Sequence, residues 1–394
     1  MDGVEDGVMK EIAIVNKTVS EKGENVSTVG PWSQNISIQS NIASECAVVM
    51  SLEYEQDIIS RQTLEIIQQL KGVVLIPVIF VFGSASICLS LIVFYKHGLS
   101  SRINLCLFVL ECINLINVTY LFVLNVDSLN MPFDTVLEGP VYEFLVNNNL
   151  TGLFGFGYAA VFLSALVACE RCICVLFPLH SKTLISTQKM AVVIIVAICF
   201  IVFPRFIVTA RYRIICAFDV RMGRTIRQLA VSEFYFQYKD FINVLDGTFY
   251  GIIVSLGGPI VTFVSTLITV FSLNQTIAFR QYSSTSDAIR EILLTKMMII
   301  LSLENVLLSL PSIFLRIIPV FEPGVRPSGP YNNTCIALSS LVEISTHVNG
   351  SINFLVYYFA GTKFRKTVHS VFNYHSKRNR ANPSSTSNSF KSLH

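Results

Sequence analysis

Ionisable side chains stand inside several apolar runs of this sequence. Glu111 and Asn114 lie in LFVLECINLIN, Glu170 and Arg171 close the run before CICVLFPL, Arg290 and Glu291 open AIREILLTK, and His347 leads HVNGSINFLVYY. Cys172 and Cys174 follow Glu170-Arg171 directly, which raises redox or metal chemistry. A charge at the centre of a membrane helix costs about 2.5–3.5 kcal/mol, so such residues mark ion pairs, proton paths or switches. Catalysis would need a nucleophile with its base, a metal set or a loop that cradles phosphate. The sequence shows no HExxH, no paired intramembrane carboxylates and no Gly-rich phosphate loop. No catalytic residue, metal ligand or cofactor is therefore assigned, and the remaining chemistry is that of a switch built from ion pairs and hydrogen bonds.

The elements that must position these residues follow from composition. Of 394 residues, 52% are hydrophobic and 14% charged, where a soluble domain carries roughly a quarter charged. Seven apolar runs occur, at about 73–95, 104–126, 150–177, 190–210, 248–273, 292–318 and 336–360. Each reaches the ~20 residues that a helix needs to cross ~30 Å of hydrocarbon, and a lipid-exposed backbone must bond internally. The expected fold is an all-α membrane protein, a seven-transmembrane helix bundle. Beyond it, Phe364, Val368, Val371 and Phe372 recur at helical spacing among Lys363, Arg365 and Lys366, the pattern of a short amphipathic helix on a membrane surface. The expected division is a tail at 1–71, the bundle at 72–360, the amphipathic helix at 361–375 and a second tail at 376–394. No cleavable signal peptide is visible, since the first thirty residues lack an apolar core of 7–15 residues.

Charge orients the bundle. Residues 1–71 hold eleven acids against five bases, and the tail from Lys363 holds seven bases and no acid. Lys96, Arg102, Lys182 and Lys189 mark the connections on the tail side, whereas Asp127, Asp134, Glu138 and Glu143 mark the opposite side. Basic residues near helix ends face the cytoplasm, so the N-terminus is expected outside a plasma membrane. The connection at 211–245 runs against this, with six bases to three acids, and is read as a loop long enough to be translocated. Its positive sign leaves acidic ligands open. Sequons at Asn16, Asn25, Asn35 and Asn332 would be glycosylated outside. Of ten cysteines, Cys46, Cys216 and Cys335 fall outside, allowing one bridge without fixing the pair, and Cys172 and Cys174 read as small apolar fillers.

Taken in order, these features resemble the rhodopsin-like (class A) G-protein-coupled receptors. Glu170-Arg171-Cys172 stands where that family has Asp/Glu-Arg-Tyr at the end of its third helix. Asn353-Phe354-Leu355-Val356-Tyr357 matches its seventh-helix Asn-Pro-x-x-Tyr, with phenylalanine for proline. Pro259 and Pro311 match the fifth- and sixth-helix prolines, Asn114 takes the place of the second-helix Asp, and Phe364-Arg365 falls where the eighth helix starts. More narrowly, ERCICVLFPLHSKTLIST and VNGSINFLVYYFAGTKFR look like blocks of the divergent chemosensory receptors of molluscs.

The resemblance implies a receptor for an extracellular small molecule or peptide that activates a heterotrimeric G protein. Glu170, Arg171, Glu291, Asn114, Asn349, Asn353, Tyr357, Pro259 and Pro311 would form its switch, with Arg171 held by Glu170 and reaching Glu291 at rest. A ligand would sit among Leu153, Phe156, Phe314 and His347. Val146 stands near the family's third-helix cysteine position, so Cys216 would bridge Cys46 or Cys335 instead. Leu153 in the amine-binding position and His347 near the retinal-lysine position argue against amines and retinal. Phosphorylation of Ser384, Ser385, Thr386, Ser387 and Ser389 would recruit arrestin through a receptor kinase. No nucleic-acid partner is implied. A neuropeptide receptor of the same fold is the alternative, and a transporter, which would show inverted repeats, is the more distant one.

Overall fold

The computed structural model describes residues 47–49, 57–129, 139–177, 186–219, 224–280, 286–326 and 329–381. Six helices have the length and hydropathy to cross a membrane: α1 (Arg61–His97), α2 (Arg102–Leu124), α3 (Leu150–Leu176), α4 (Thr187–Thr209), α5 (Lys239–Gln275) and α6, whose spanning part is Ile292–Phe321 within Ser286–Phe321. The seventh, α7 (Asn332–Ala360), has 29 residues, about 44 Å at 1.5 Å per residue. Glu343, His347, Asn349 and Asn353 lower its hydropathy because it lines the bundle interior. A further helix, α8 (Thr362–Ala381), follows at once. The all-α seven-helix bundle is the fold.

Apolar residues face both ways. On α4, Val192, Ile195, Val196, Phe200 and Phe203 are exposed while Met190, Ile194 and Ile201 are buried. Such an exposed stripe would drive aggregation in water and suits lipid. Inside, α3 packs against α2, α4, α5 and α6, and α7 packs against α1, α2 and α6. A side chain at Gly83 would fall on Ser351, so the absence of one lets α1 lie close to α7.

Several boundaries depart from the apolar runs. α1 begins about three turns before the apolar run does, because Ser60 caps it by accepting from the Thr63 backbone N–H at 3.2 Å. α5 opens with a wide-turned π segment at Val244–Gly257, immediately before Pro259. Proline cannot donate a helical bond, and a local π register accommodates that loss. α6 runs unbroken through Pro311 and Pro319.

The basic connection between α4 and α5 is folded. Strands β2 (Tyr212–Asp219) and β3 (Arg224–Val231) pair antiparallel, and β1 (Ala47–Val49) adds parallel to β2 with Ala47 opposite Ala217. The hairpin is seated on the bundle by Ile214, whose N–H donates to Asn147 at 3.0 Å, and by an Arg227–Glu143 pair at 3.0 Å. Cys216 is disulfide-bonded. Cys335 is not its partner: it is a free, buried thiol in the first turns of α7. Cys46 lies outside the described residues.

Candidate functional site

Asn349, Asn353 and Tyr357 recur every four residues on α7, which places them one above another on a single face. That face meets α2, and the carboxylate it meets is Glu111, which is completely buried. Tyr357 Oη donates to Glu111 Oε1 at 2.9 Å, and Asn353 Nδ2 donates to the same oxygen at 3.3 Å. Glu111 Oε2 has no hydrogen-bond partner among the described residues. Asn114, in the place of the family's acid, instead lines a cavity of about 30 Å³ with Ser164, Ser302, Asn305, Asn349 and Asn353. That space exceeds what one water needs, and these polar side chains share its walls with Leu107, Leu110, Val167, Met298 and Leu301.

A second carboxylate faces this hub from α6. Both oxygens of Glu304 are buried without a partner among the described residues, and Glu304 lies within electrostatic reach of Glu111 and Tyr357. The bundle therefore holds a second buried carboxylate on the α6 side of the hub, which was not singled out from sequence. Glu304 sits in LSLENVLLSLP and carries the same signal as Glu111, a lone acid in an apolar run. Among the described residues no group of three His, Cys, Asp or Glu side chains is placed to hold a metal.

At the end of α3 the charges are matched differently. Arg171 Nε donates to Glu170 Oε2 at 2.9 Å, and its Nη2 stands 2.7 Å from the same oxygen in an ion-pair contact too bent for a second hydrogen bond. Arg102 of α2 approaches Glu170 Oε1 at 3.8 Å. The Cys174 thiol donates to that oxygen at 3.3 Å, so Cys174 is a partner of the pair and not a filler, whereas Cys172 is buried. Glu170 and Arg171 are 6% and 7% exposed, so the pair is desolvated. The expected Glu291 partner is in α6, but its side chain lies outside the described ones.

Tyr357 also ties the hub to the bundle end. Its ring packs edge-on against Phe94 of α1 at 5.1 Å and tilted against Phe364 of α8 at 5.4 Å. Phe364 and Val368 are buried, which docks α8 on α1 and α7.

Toward the hairpin end, Leu153 and Phe156 are half-buried on α3. His347 is fully buried with neither ring nitrogen partnered among the described residues. Phe314 does not line the interior. It is 54% exposed and belongs to a stripe of Leu303, Leu307, Leu310, Phe314 and Ile317 on α6, whose alternating three- and four-residue spacing defines one outward face. Two features here were not read from sequence. Lys71 pairs with Glu343 at 2.8 Å, and Asn125 donates to the other oxygen of Glu343. Asp57 accepts from the Asn333 and Thr334 N–H groups and the Thr334 hydroxyl at 2.6–3.2 Å, capping α7. Partial burial would raise the Asp57 pKa, but these bonds and one from the Ile59 N–H outweigh it and hold it below the usual carboxylate range. Asn332 is the first residue of α7 and half-buried; Asn16, Asn25, Asn35 and the serine-rich tail at 384–389 lie outside the described residues.

Comparison with curated proteins finds no match. The family model described as serpentine type 7TM GPCR chemoreceptor Srw matches residues 142–375, more than half of the chain and the whole stretch from α3 through the buried part of α8. This is a family of receptors, not of enzymes. The chain belongs to the Srw family of serpentine seven-transmembrane G-protein-coupled chemoreceptors.

Proposed function

We propose that this receptor binds an extracellular chemosensory ligand at the hairpin end of the bundle and activates a heterotrimeric G protein at the Glu170–Arg171 end. The observation that carries the reading is the buried Glu170–Arg171–Arg102 cluster, which lies at the end of the bundle remote from the hairpin. In the resting state Glu170 neutralises Arg171. Ligand binding shifts α6 about Pro311, releases Arg171, including its contact with Glu291, and opens a cleft for the G protein. Asn114, Asn349, Asn353 and Tyr357 transmit that movement through Glu111 and the polar cavity. A two-state element biased by a few kcal/mol suffices for such a switch.

The basic tail side faces the cytoplasm and the N-terminal segment faces out. Asn16, Asn25, Asn35 and Asn332 are the glycan acceptors, and Cys46 bridges Cys216 to hold that segment against the hairpin. α8 lies on the inner leaflet, and the serine-rich tail is the substrate of a receptor kinase and the docking segment of arrestin. The test is nucleotide exchange on purified G proteins by receptor in nanodiscs, against a panel of odorants, amino acids and peptides. Ligand-dependent exchange is expected. Substrate flux through proteoliposomes without exchange would make the chain a transporter.

A further inference from the structure

From a cluster of guanidinium groups at the hairpin end, we infer that the ligand is a small organic carboxylate, held by Arg316 of α6. This deepens the receptor reading and rests on it for the ligand's role, though not for its binding. Four helices converge there. Arg205 of α4 pairs with Asp246 Oδ1 of α5 at 2.6 Å, and Arg211, just past α4, pairs with Oδ2 at 3.0 Å. The Arg205 guanidinium lies over the rings of Tyr158 of α3 and Tyr250 of α5, at 5.3 and 5.1 Å. Both oxygens of the one carboxylate are thus committed to two arginines.

Arg316 is the third. Its Nη2 donates to Tyr158 Oη at 2.9 Å, and it has no carboxylate partner among the described residues. A phenol accepts a hydrogen bond without cancelling a charge. Arg316 lies within electrostatic reach of Asp246, but that single negative charge already serves Arg205 and Arg211. Three positive charges against one leave +2 in a half-buried setting. The side chains of Arg205, Arg211 and Asp246 are only 14–23% exposed, so water does not disperse the excess.

The same end of the bundle shows that the chain balances charge where balance is structural. Lys71 and Glu343 stand one to one at 2.8 Å. The arginine cluster lacks that balance among the described residues, and there α5 makes room for Arg316: a side chain at Gly251 would come within 3.1 Å of its Nη1. A guanidinium with an open edge offers two parallel N–H donors, which match the two oxygens of a carboxylate. The half-buried ring of Tyr158, whose hydroxyl already accepts from Arg316, suits an apolar or aromatic body on that acid. Completing the charge is what the ligand contributes, and this gives α6 a reason to move when the ligand arrives.

The test is thermal unfolding of the purified full-length receptor in nanodiscs with benzoate, phenylacetate and hexanoate, each beside its primary amide and a matched phosphate monoester. A carboxylate is expected to raise the melting temperature where its amide does not. Arg316→Gln should weaken that carboxylate by about tenfold or more, Arg316→Lys less, and Arg365→Gln on the exposed face of α8 should leave it unchanged. Carboxylates that act no better than their amides would overturn the inference, as would stabilisation by phosphate monoesters alone, by no carboxylate at all, or equally in wild type and Arg316→Gln. If Arg316→Gln does not fold, the wild-type carboxylate–amide difference and the Arg316→Lys weakening decide. Carboxylate binding with no exchange on any G protein would sink the receptor reading and leave this site standing.

Discussion

Glu170 and Glu111 are both buried carboxylates on neighbouring helices, yet their surroundings differ in kind. Around Glu170 each oxygen has a partner, Arg171 on one and Arg102 and Cys174 on the other. Around Glu111 one oxygen takes two neutral donors, the other takes none, and a second acid, Glu304, has no partner among the described residues. The first site is a matched ion cluster, in which loss of one member leaves a buried charge without its partner. The second is held by neutral donors, and neither Glu111 nor Glu304 has a cationic partner among the described residues. The Glu170 oxygens are fixed by two arginines and a thiol and the hub by neutral donors alone, so the hub has the weaker bonds to break. An ion cluster beside a hub of neutral bonds is the arrangement on which the proposed switch rests.

This contrast can be broken most strongly at Glu111. Glu111→Leu strands Tyr357 Oη and Asn353 Nδ2, and thermal unfolding in nanodiscs should show a loss of about 2–4 kcal/mol. Glu304→Leu should act in the opposite direction, since it removes a carboxylate with no bond to lose; a gain of about 1–2 kcal/mol is expected. A destabilised Glu304→Leu would mean that Glu304 has a partner in the resting state. Tyr357→Phe removes one donor and keeps the ring against Phe94 and Phe364, so the loss should be about 1 kcal/mol, with a rise in basal exchange.

The smallest effect belongs to Asp57, a carboxylate outside the bundle with every bond satisfied. Asp57→Asn should cost less than about 0.5 kcal/mol after solvent screening. Its pKa is depressed in the folded chain, so its contribution is present above the ordinary value of 3.8 and is lost as pH falls through the folded value. Unfolding followed from neutral to acid pH should show this loss in wild type and not in Asp57→Asn.

Much of the architecture is legible in the sequence because hydrocarbon is a severe filter. Seven apolar runs become seven helices, and Glu170-Arg171 forms the pair that its expense in lipid suggests. Rotation of a helix about its axis is not legible in the same way. Asn114 and Glu111 differ by three residues, or about 300° at 100° per residue, and only packing decides that Glu111 meets Tyr357. Phe314 fails for the same reason: its place near Pro311 says nothing of its phase, whereas the leucine stripe on its face does. Glu304 carried its signal openly and lacked only a motif to draw the eye. The arginine cluster is hidden because Arg205, Asp246 and Arg316 are far apart in sequence and meet only when α4, α5 and α6 pack. The hairpin is hidden because a polar strand such as RTIRQLAV shows no regular alternation of apolar and polar residues.

The central claim is that Glu170 holds the receptor at rest by neutralising Arg171. Its most direct test is ligand-independent nucleotide exchange on a purified G protein, measured for wild type and Glu170→Gln at equal receptor density in the same membranes. Releasing a coupling of about 1–3 kcal/mol should raise basal exchange by about 5-fold or more. Basal exchange unchanged or lowered in correctly folded Glu170→Gln would contradict the latch.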